Sequence, residues 1–379
     1  MTKSIVQIGI NNFNHLLCDG ISGSMFDLYC ALIERGCDVT IFNFYTSKDY
    51  TRYLFKNLLQ QVPEQDILFS FENCSKVRFH GITLYQEMLP FEDHELAARS
   101  QEILKIIFNR CRQERADIIV TLDDDIICLL AASLLKISGC HFIHSPAYLQ
   151  TFASKHRQYT KLLQARSVFA ASRFVQHKAR ELLGIDTAVW YPVINLKKYR
   201  AAGGVTKGSA VGFYSFDKHK GADIINALIA RMPEQQFIVM GRSYAHNFST
   251  VPENLTYLGD VTSIMEFYSR IGLLLVPSVA EEAFTRVSIE AAVNGIPVIA
   301  NRVGGIPEAL GESGILIDVN LNEKIDADAM AEQYRYHIDR LLNNQDLYRE
   351  YREKALQRAG EFEEEQNKML KTFCETWLQ

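Results

Sequence analysis

Nothing in this sequence is long and apolar enough to suggest a membrane span. The longest apolar stretch, Ile126 to Leu135, is ten residues and already contains Ser133. A helical crossing takes about 20 apolar residues. The amino-terminal segment carries one lysine and then the short run Ile5-Val6-Gln7-Ile8, broken by glutamine. It reads as a first strand, with no secretory leader, and the expected location is cytoplasmic. The eight cysteines include no CxxC pair, and most sit in apolar segments such as Ile-Ile-Cys-Leu-Leu around Cys128. That pattern argues against zinc ribbons and disulfide frameworks and fits buried thiols in a reducing compartment. Positive charge is also scarce overall, since the net charge is −5. A generic nucleic-acid binder is therefore not expected. Short-period repeats are missing too. With 47% apolar and 22% charged residues, the composition excludes disordered and collagen-like chains.

What remains is a globular chain of 379 residues, longer than the roughly 250–300 that one core sustains, so two domains are expected. Buried-strand patterns at Ile5–Ile10, Asp38–Phe42, Asp117–Leu122, His141–Ile143 and Val168–Ala170 alternate with helical ones. The helical patterns are Met25–Arg35, Leu96–Arg115, Ile126–Ile137, Leu149–Leu163 and Phe174–Leu183. The stretch Asp49–Gly81 leaves room for extra strands. Tyr191-Pro192-Val193-Ile194-Asn195 and the glycine-bearing Leu196–Ala210 read as a linker. The alternation then restarts with strands Ala210–Phe213, Phe237–Met240, Leu273–Val276, Val298–Ala300 and Ile315–Ile317. Helices at Ala222–Ala230, Thr262–Ser269 and Val287–Asn294 separate them, and a charged helical stretch follows Asp326. The expectation is an α/β protein of two Rossmann-like doubly wound domains facing each other across a cleft. They are an acceptor-side domain over 1–194 and a donor domain over 195–360. Residues 361–379 are expected to form a helix that packs back toward the first domain.

In doubly wound sheets, ligands bind at the carboxyl ends of the strands, and that is where the unusual residues fall. The segment from Val276 to Ala292 leaves a buried strand, turns at Pro277 and enters a helix. Glu282 then lies in the loop and Glu290 one turn inside the helix. The amides of Phe284, Thr285 and Arg286 come just before it, where free N–H groups favour an anion. Carboxylates on either side suit a ligand with both a diphosphate and sugar hydroxyls. The next loop, Asn301 to Glu308, holds Gly304, Gly305 and Pro307, which permit close backbone approach and start a further helix.

Pro-Ser…Glu-x-Phe…Glu-Ala-Ala…Asn-Gly-Ile-Pro-Val-Ile-Ala…Gly-Gly-Ile-Pro-Glu, between Pro277 and Glu308, resembles the donor-site signature of the retaining glycosyltransferases of family 4, glycosyl transferases group 1. Glu282 and Glu290, with seven residues between them, match that family's paired glutamates. Lys220-Gly221-Ala222-Asp223, Phe237–Gly241 and Tyr257-Leu258-Gly259-Asp260 resemble earlier parts of its donor domain in order. Phe169–Ser172 and Trp190–Ile194 resemble the end of its first domain.

The resemblance implies the GT-B fold and transfer of a sugar from a nucleotide diphosphate sugar to an acceptor hydroxyl with retention. Its products would be glycans, glycolipids or polysaccharides. A UDP-sugar is favoured on family frequency, and no metal or other cofactor is implied. The carried-over catalytic residues are Glu282 and His144, both facing the sugar; His144 ends the strand around His141, and His141 is the weaker candidate. Donor binding falls to Lys220, Phe284, Thr285, Arg286 and Glu290, with Glu290 on the ribose. Gly20 or Gly23, in Cys18–Ser24, stands where the family has a glycine turn at the donor phosphates.

Two departures stand out. Phe213–Asp217 lacks the arginine that usually precedes the lysine, and Thr285 replaces a glycine. Thr285 implies either ordinary backbone angles or an altered donor site. Arg286 is the expected replacement cation for the diphosphate, with Lys218 and His219 as other donors. The alternative for Arg286 is a salt bridge to Glu281 or Glu282.

Asp123-Asp124-Asp125 is read as capping the helix Ile126–Ile137 and not as a metal motif. Residues 151–200 hold ten Lys and Arg against two acids, a balance of +8. They are either a solvated face or the attraction for an anionic or lipid-linked acceptor, with peripheral association at the inner face of a membrane. Two alternatives stand beside the transferase. One is a degenerate GT-B protein that binds a sugar nucleotide or partner without catalysis. The other is a phosphorylase or epimerase on the same fold.

Overall fold

The computed structural model describes residues 2–10, 20–45, 60–70, 74–89, 95, 98–123, 125–200, 210–241, 251–259 and 264–377. The chain divides into two compact units, residues 1–194 with 369–379, and residues 195–368. Among the described residues no helix is long and apolar enough to cross a membrane.

The first unit is built on a nine-stranded sheet. Its strands are β1 (Ser4–Ile10), β2 (Asp38–Tyr45), β3 (Ile67–Ser70), β4 (Cys74–Phe79), β5 (Ile82–Met88), β6 (Ile118–Leu122), β7 (Gly139–Ile143), β8 (Ser167–Ala170) and β9 (Ala188–Val189). They lie in the order β3-β4-β5-β2-β1-β6-β7-β8-β9. All pairs from β5 to β9 are parallel, while β3–β4 and β4–β5 are antiparallel. The stretch left open in the sequence thus supplies two strands. The β4–β5 hairpin turns on His80 and Gly81, both with positive φ of 50° and 83°, as a two-residue hairpin loop requires.

Alternate residues of the central strands enter different cores. Ile5, Val39, Ile41, Val120 and Leu122 join one buried cluster, while Val6, Ile8, Phe42, Phe44 and Ile119 join another. Both faces of the sheet are therefore covered, which explains why these strands read as continuous apolar runs. The helix expected over Leu149–Leu163 is broken. It runs as Pro146–Lys155, a 3-10 turn Arg157–Tyr159, and Thr160–Gln164. His156 interrupts it with φ −127° and ψ 12°, outside the helical region.

The second unit holds six parallel strands, β10 (Ala210–Tyr214), β11 (Phe237–Met240), β12 (Leu255–Tyr257), β13 (Ile271–Val276), β14 (Val298–Asn301) and β15 (Gly314–Ile317). Their order is β12-β11-β10-β13-β14-β15. The helices Ala222–Arg231 and Ala327–Asn343 pack onto it through Ile224, Ile225, Leu228, Tyr334 and Ile338.

In each order the chain reverses its direction of travel once, between β1 and β6 and between β10 and β13. Such points leave a crevice beyond the carboxyl ends of two adjacent strands, because the following connections run to opposite sides.

The last helix, Gln345–Trp377, contributes its final turns to the first unit. Leu370 and Phe373 are buried in the core that also contains Trp190 and Phe142, and the Phe373 ring centroid lies 5.4 Å from that of Trp190. Replacing Phe373 by alanine is expected to cost about 3 kcal/mol, from lost burial plus a cavity. A urea titration that follows the intrinsic fluorescence of Trp190 and Trp377 checks this.

Candidate functional site

The loop after β10 is organised around a short 3-10 turn, Lys218–Lys220. Asp217 caps it, its Oδ1 accepting from the His219 amide at 2.7 Å. Gly221, with φ 86°, then starts the helix Ala222–Arg231. A Cβ there would overlap the Pro277 carbonyl, so glycine lets this loop lie directly on the loop after β13. The two loops are also joined by the Val279 amide, which donates to the His219 carbonyl at 2.9 Å.

That contact brings Lys220 and Glu282 together from opposite sides of the switch point. Lys220 Nζ donates to Glu282 Oε1 at 2.6 Å, and Ser278 Oγ donates to the same oxygen at 2.8 Å. The Lys220 side chain keeps 41% of its exposure, so this cation stays open to solvent. Glu282 is fixed by its backbone as well. Its carbonyl accepts from the Gly305 amide at 2.7 Å. Gly304, at φ 54°, has no room for a Cβ against the Glu282 backbone. The loops after β10, β13 and β14 thus converge on one carboxylate. Asn301 reinforces the arrangement from below, donating to the Ser278 carbonyl at 3.0 Å while Tyr334 donates to its Oδ1 at 2.8 Å. Neither Ser278 nor Asn301 was given a role from the sequence. Both belong to the motif loops, and only the fold shows what they hold.

Thr285 has φ −108° and ψ 92°, ordinary extended angles, so the turn needs no glycine here. Its hydroxyl lies 3.1 Å from that of Ser288. The Phe284 ring is buried and stacks on Phe362 at 5.8 Å.

Arg286 faces Glu290. It opens the helix Arg286–Ala292 and lies largely buried, with Nε 3.5 Å from Glu290 Oε1 and Nη2 3.4 Å from the Tyr199 hydroxyl. The i,i+4 spacing on a helix places the two side chains on one face. Tyr268 donates to Glu290 Oε2 at 2.8 Å. Burial, and next the Glu290 carboxylate, hold the Tyr268 phenol well above its usual range, so it remains a donor. Asn294 ties the backbone in, donating to the Tyr199 carbonyl at 2.6 Å. Tyr199 and Tyr268 carry no motif, and nothing in the sequence marked them.

The first unit holds the other candidates, at or beside its own switch point. Gly20 and Gly23 do not form a turn. Gly20 starts the helix Gly20–Ile33 and Gly23 lies in its first turn. The apolar spacing through Met25, Leu28, Tyr29 and Leu32, all buried, carries the helix back to this point. Residues 11–19, which include Cys18 and Asp19, are outside the described residues.

Asp125 caps the helix Ile126–Leu135, accepting from the Cys128 amide at 3.1 Å and from the Ile10 amide at 2.8 Å. Asp124 is outside the described residues. Asp123 is not a cap. It is buried, has φ 46°, and accepts from the backbone amides of His144 at 2.7 Å and Ser145 at 3.2 Å. Its second oxygen lies 3.4 Å from His144 Nδ1. His144 stands just past the end of β7, buried, its ring stacked on Phe142 at 5.9 Å.

His141 points into the sheet, fully buried, with Nδ1 2.9 Å from the Thr121 hydroxyl. Its Nε2 has no hydrogen-bond partner among the described residues. Burial outweighs the attraction of Asp123 and pushes its pKa down to about 4.

The basic stretch 151–200 is divided between the two units. Its cations up to Arg180 belong to the first unit, while Lys197, Lys198 and Arg200 belong to the second. Arg166 is structural, donating to the Ile119 carbonyl at 3.0 Å.

Two outcomes follow. Arg286→Leu strands a buried carboxylate beside Tyr268 and is expected to lower stability by about 3 kcal/mol. Adding Glu290→Gln should recover part of that loss, as a double-mutant cycle in urea would show. His141 supplies a pH dependence. The unfolded histidine titrates near 6.5 and the folded one near 4, so between these values the unfolded state binds the extra proton and stability falls as pH falls. The cost between pH 7 and pH 5 is about 2 kcal/mol. His141→Gln should flatten this part of the urea midpoint–pH curve.

Comparison with known proteins places these features in a family context. Residues 210–343 match the family described as Glycosyl transferases group 1, a stretch that contains Lys220, Glu282, Phe284, Thr285, Arg286 and Glu290. A D-inositol 3-phosphate glycosyltransferase of Mycobacterium sp. (strain KMS) is 32% identical over 116 residues, which is 26% of this chain and 26% of that relative. The chain therefore matches about a quarter of this relative's length. Among solved structures, sucrose-phosphate synthase from Thermosynechococcus elongatus superposes with a TM-score of 0.71 at 17% identity, over 99% of both chains. HepE of Anabaena in complex with UDP-glucose gives 0.66 at 17% identity, over 97% of this chain and 99% of that one. The fold is that of the GT-B glycosyltransferases, and the segment from 210 to 343 carries the group 1 sequence pattern.

Proposed function

We propose that this chain transfers a sugar from a nucleotide diphosphate sugar, with a UDP-sugar favoured, to an acceptor hydroxyl with retention of configuration. The observation that carries the reading is the meeting of Lys220 and Glu282 at 2.6 Å, on two loops that flank the switch point of the second sheet. Ligands of doubly wound sheets bind there. An exposed ammonium suits the charge that grows on a leaving diphosphate, and a carboxylate fixed by backbone and hydroxyl suits a sugar hydroxyl. Glu290, one turn inside the next helix, is assigned to the ribose, and the amides of Phe284, Thr285 and Arg286 to the phosphates. His144, in the first unit, is assigned to the transferred sugar. The sequence match over 210–343 and the UDP-glucose bound by a protein of the same fold support the donor class. For the acceptor, the cations Lys155, Arg157 and Lys161, all exposed, favour an anionic molecule, free or lipid-linked.

In this reading the front-face reaction lets the leaving phosphate take the acceptor proton. The protein orients the sugar, stabilises the diphosphate and excludes water. A second reading, binding without turnover, is favoured by the lack of an arginine in Phe213–Asp217, which leaves a departing diphosphate with less cationic support.

The test pairs thermal-shift titration with UDP, GDP and ADP against nucleotide release from the matching sugar nucleotides. UDP is expected to raise the melting temperature, and Glu290→Ala to remove most of that shift. Glu282→Ala should keep the shift and lower turnover on the order of 100-fold. Proton NMR of the product should show the donor's anomeric configuration. A shift with no release in the wild type would select the binding reading, and no shift with any nucleotide would overturn both.

A further inference from the structure

We infer that Asp123 is a positioning residue, one that sets the orientation and tautomer of the His144 imidazole. The inference rests on the reading of His144 as facing the transferred sugar and extends it to a residue that no motif identified.

Three observations converge on it. The backbone of Asp123 sits at φ 46°, a left-handed conformation that costs a non-glycine residue about 1 kcal/mol or more. Such strain persists only where the surroundings impose it. Here the Asp123 amide donates to the Phe142 carbonyl at 2.8 Å, and the carboxylate accepts from the amides of His144 and Ser145. Asp123 is thereby locked across the end of β7. Second, the carboxylate is buried. Its two amide hydrogen bonds both use Oδ1, which leaves Oδ2 as the oxygen turned to the imidazole. Third, the His144 ring is confined between Phe142 on one face and that oxygen, with Nδ1 3.4 Å from Oδ2. Nδ1 has no hydrogen-bond partner among the described residues, so at this distance the contact is electrostatic.

The chemical consequence concerns which nitrogen carries the proton. A carboxylate facing Nδ1 favours the tautomer with the proton on Nδ1. Nε2 then keeps its lone pair and accepts from a hydroxyl of the sugar. Were the proton on Nε2, the ring would present a donor instead and Nδ1 would face the carboxylate with a lone pair, a repulsive arrangement.

The test separates scaffold from charge. Asp123→Asn keeps an oxygen for the two amides and removes the negative charge at Nδ1, so its melting temperature should stay close to that of the wild type. Nitrogen-15 NMR of the imidazoles, without donor and with His144→Gln to assign the resonance, reads the tautomer directly. The wild type is expected to show the Nδ1–H form, and Asp123→Asn a shift toward Nε2–H. With a sugar nucleotide as substrate, kcat of Asp123→Asn should fall on the order of 100-fold with KM little changed. A wild-type Nε2–H imidazole, or an Asp123→Asn chain whose His144 resonances match the wild type, would overturn the inference. The NMR arm needs no donor, so a wild type without turnover would overturn the transferase reading and leave this inference to be decided by the imidazole alone.

Discussion

An ammonium and a carboxylate 2.6 Å apart, Lys220 and Glu282, bind three loops of the second unit into one surface. The pair itself adds little stability, because Lys220 is 41% exposed and such half-exposed pairs are worth about 1 kcal/mol or less. Its importance lies in what must be true for it to form. Gly221 has to lie against the Pro277 carbonyl and Gly304 against the Glu282 backbone, at two positions where no other residue fits. The Val279 and Gly305 amides then close the loops on each other. The outcome is a carboxylate with a rigid backbone and a cation with a flexible stem. A ligand bringing its own negative charge to Lys220 and its own hydroxyl to Glu282 would replace a weak contact with two stronger ones, at small cost to the fold.

A few residues away, the same segment builds an arrangement of opposite character. Arg286 and Glu290 are both nearly buried and share the carboxylate with Tyr268. Removing one partner there leaves a charge without water or counter-ion, so this part of the segment belongs to the stability of the unit. Tyr199, four residues beyond the start of the second unit, touches both the Arg286 guanidinium and Asn294. The linker is thus fastened to the helix that carries Glu290. The paired glutamates are held in different ways. Glu282 is placed by loops and left accessible, and Glu290 is placed by side chains and enclosed.

How far the sequence discloses this depends on the range of the interaction. The five strand patterns read between Ala210 and Ile317 are all present, as is the helix around Glu290, because local periodicity and a proline turn determine them. Pro307 does start a helix, and Asp125 does cap one. The β3–β4–β5 meander was hidden because its tight turn uses His80-Gly81 where asparagine-glycine would have signalled it. Arg286 has a legible partner, since Glu290 lies at i+4. Tyr268, Tyr199 and Asn301 each act on a residue distant in sequence, and none has a spacing of its own; Ser278 acts on Glu282 four residues on, but through a loop that has no period to reveal it. Gly20 and Gly23 match a turn by resemblance, while the chain places both in the helix Gly20–Ile33.

Asp123 shows why the first unit is harder to read than the second. Its neighbour Asp125 does what an aspartate before a helix usually does, and that explanation is sufficient for the whole Asp-Asp-Asp run. Only the parallel pairing of β6 with β7 places the residue after Leu122 beside the residue after Ile143. The two are 21 positions apart, and no periodicity connects them. The constraint is topological: adjacent parallel strands end side by side, so the first residues of their loops meet whatever the sequence between them. The same rule brings Lys220 to Glu282 in the second unit, across β10 and β13. In both sheets the decisive contact is made in the loops that follow two neighbouring strands, at or next to the point where strand order reverses. That is where backbone amides are least committed to the ladder and side chains have a crevice to fill. In the first sheet both faces are covered by core, which leaves the strand ends as the place where polar side chains meet.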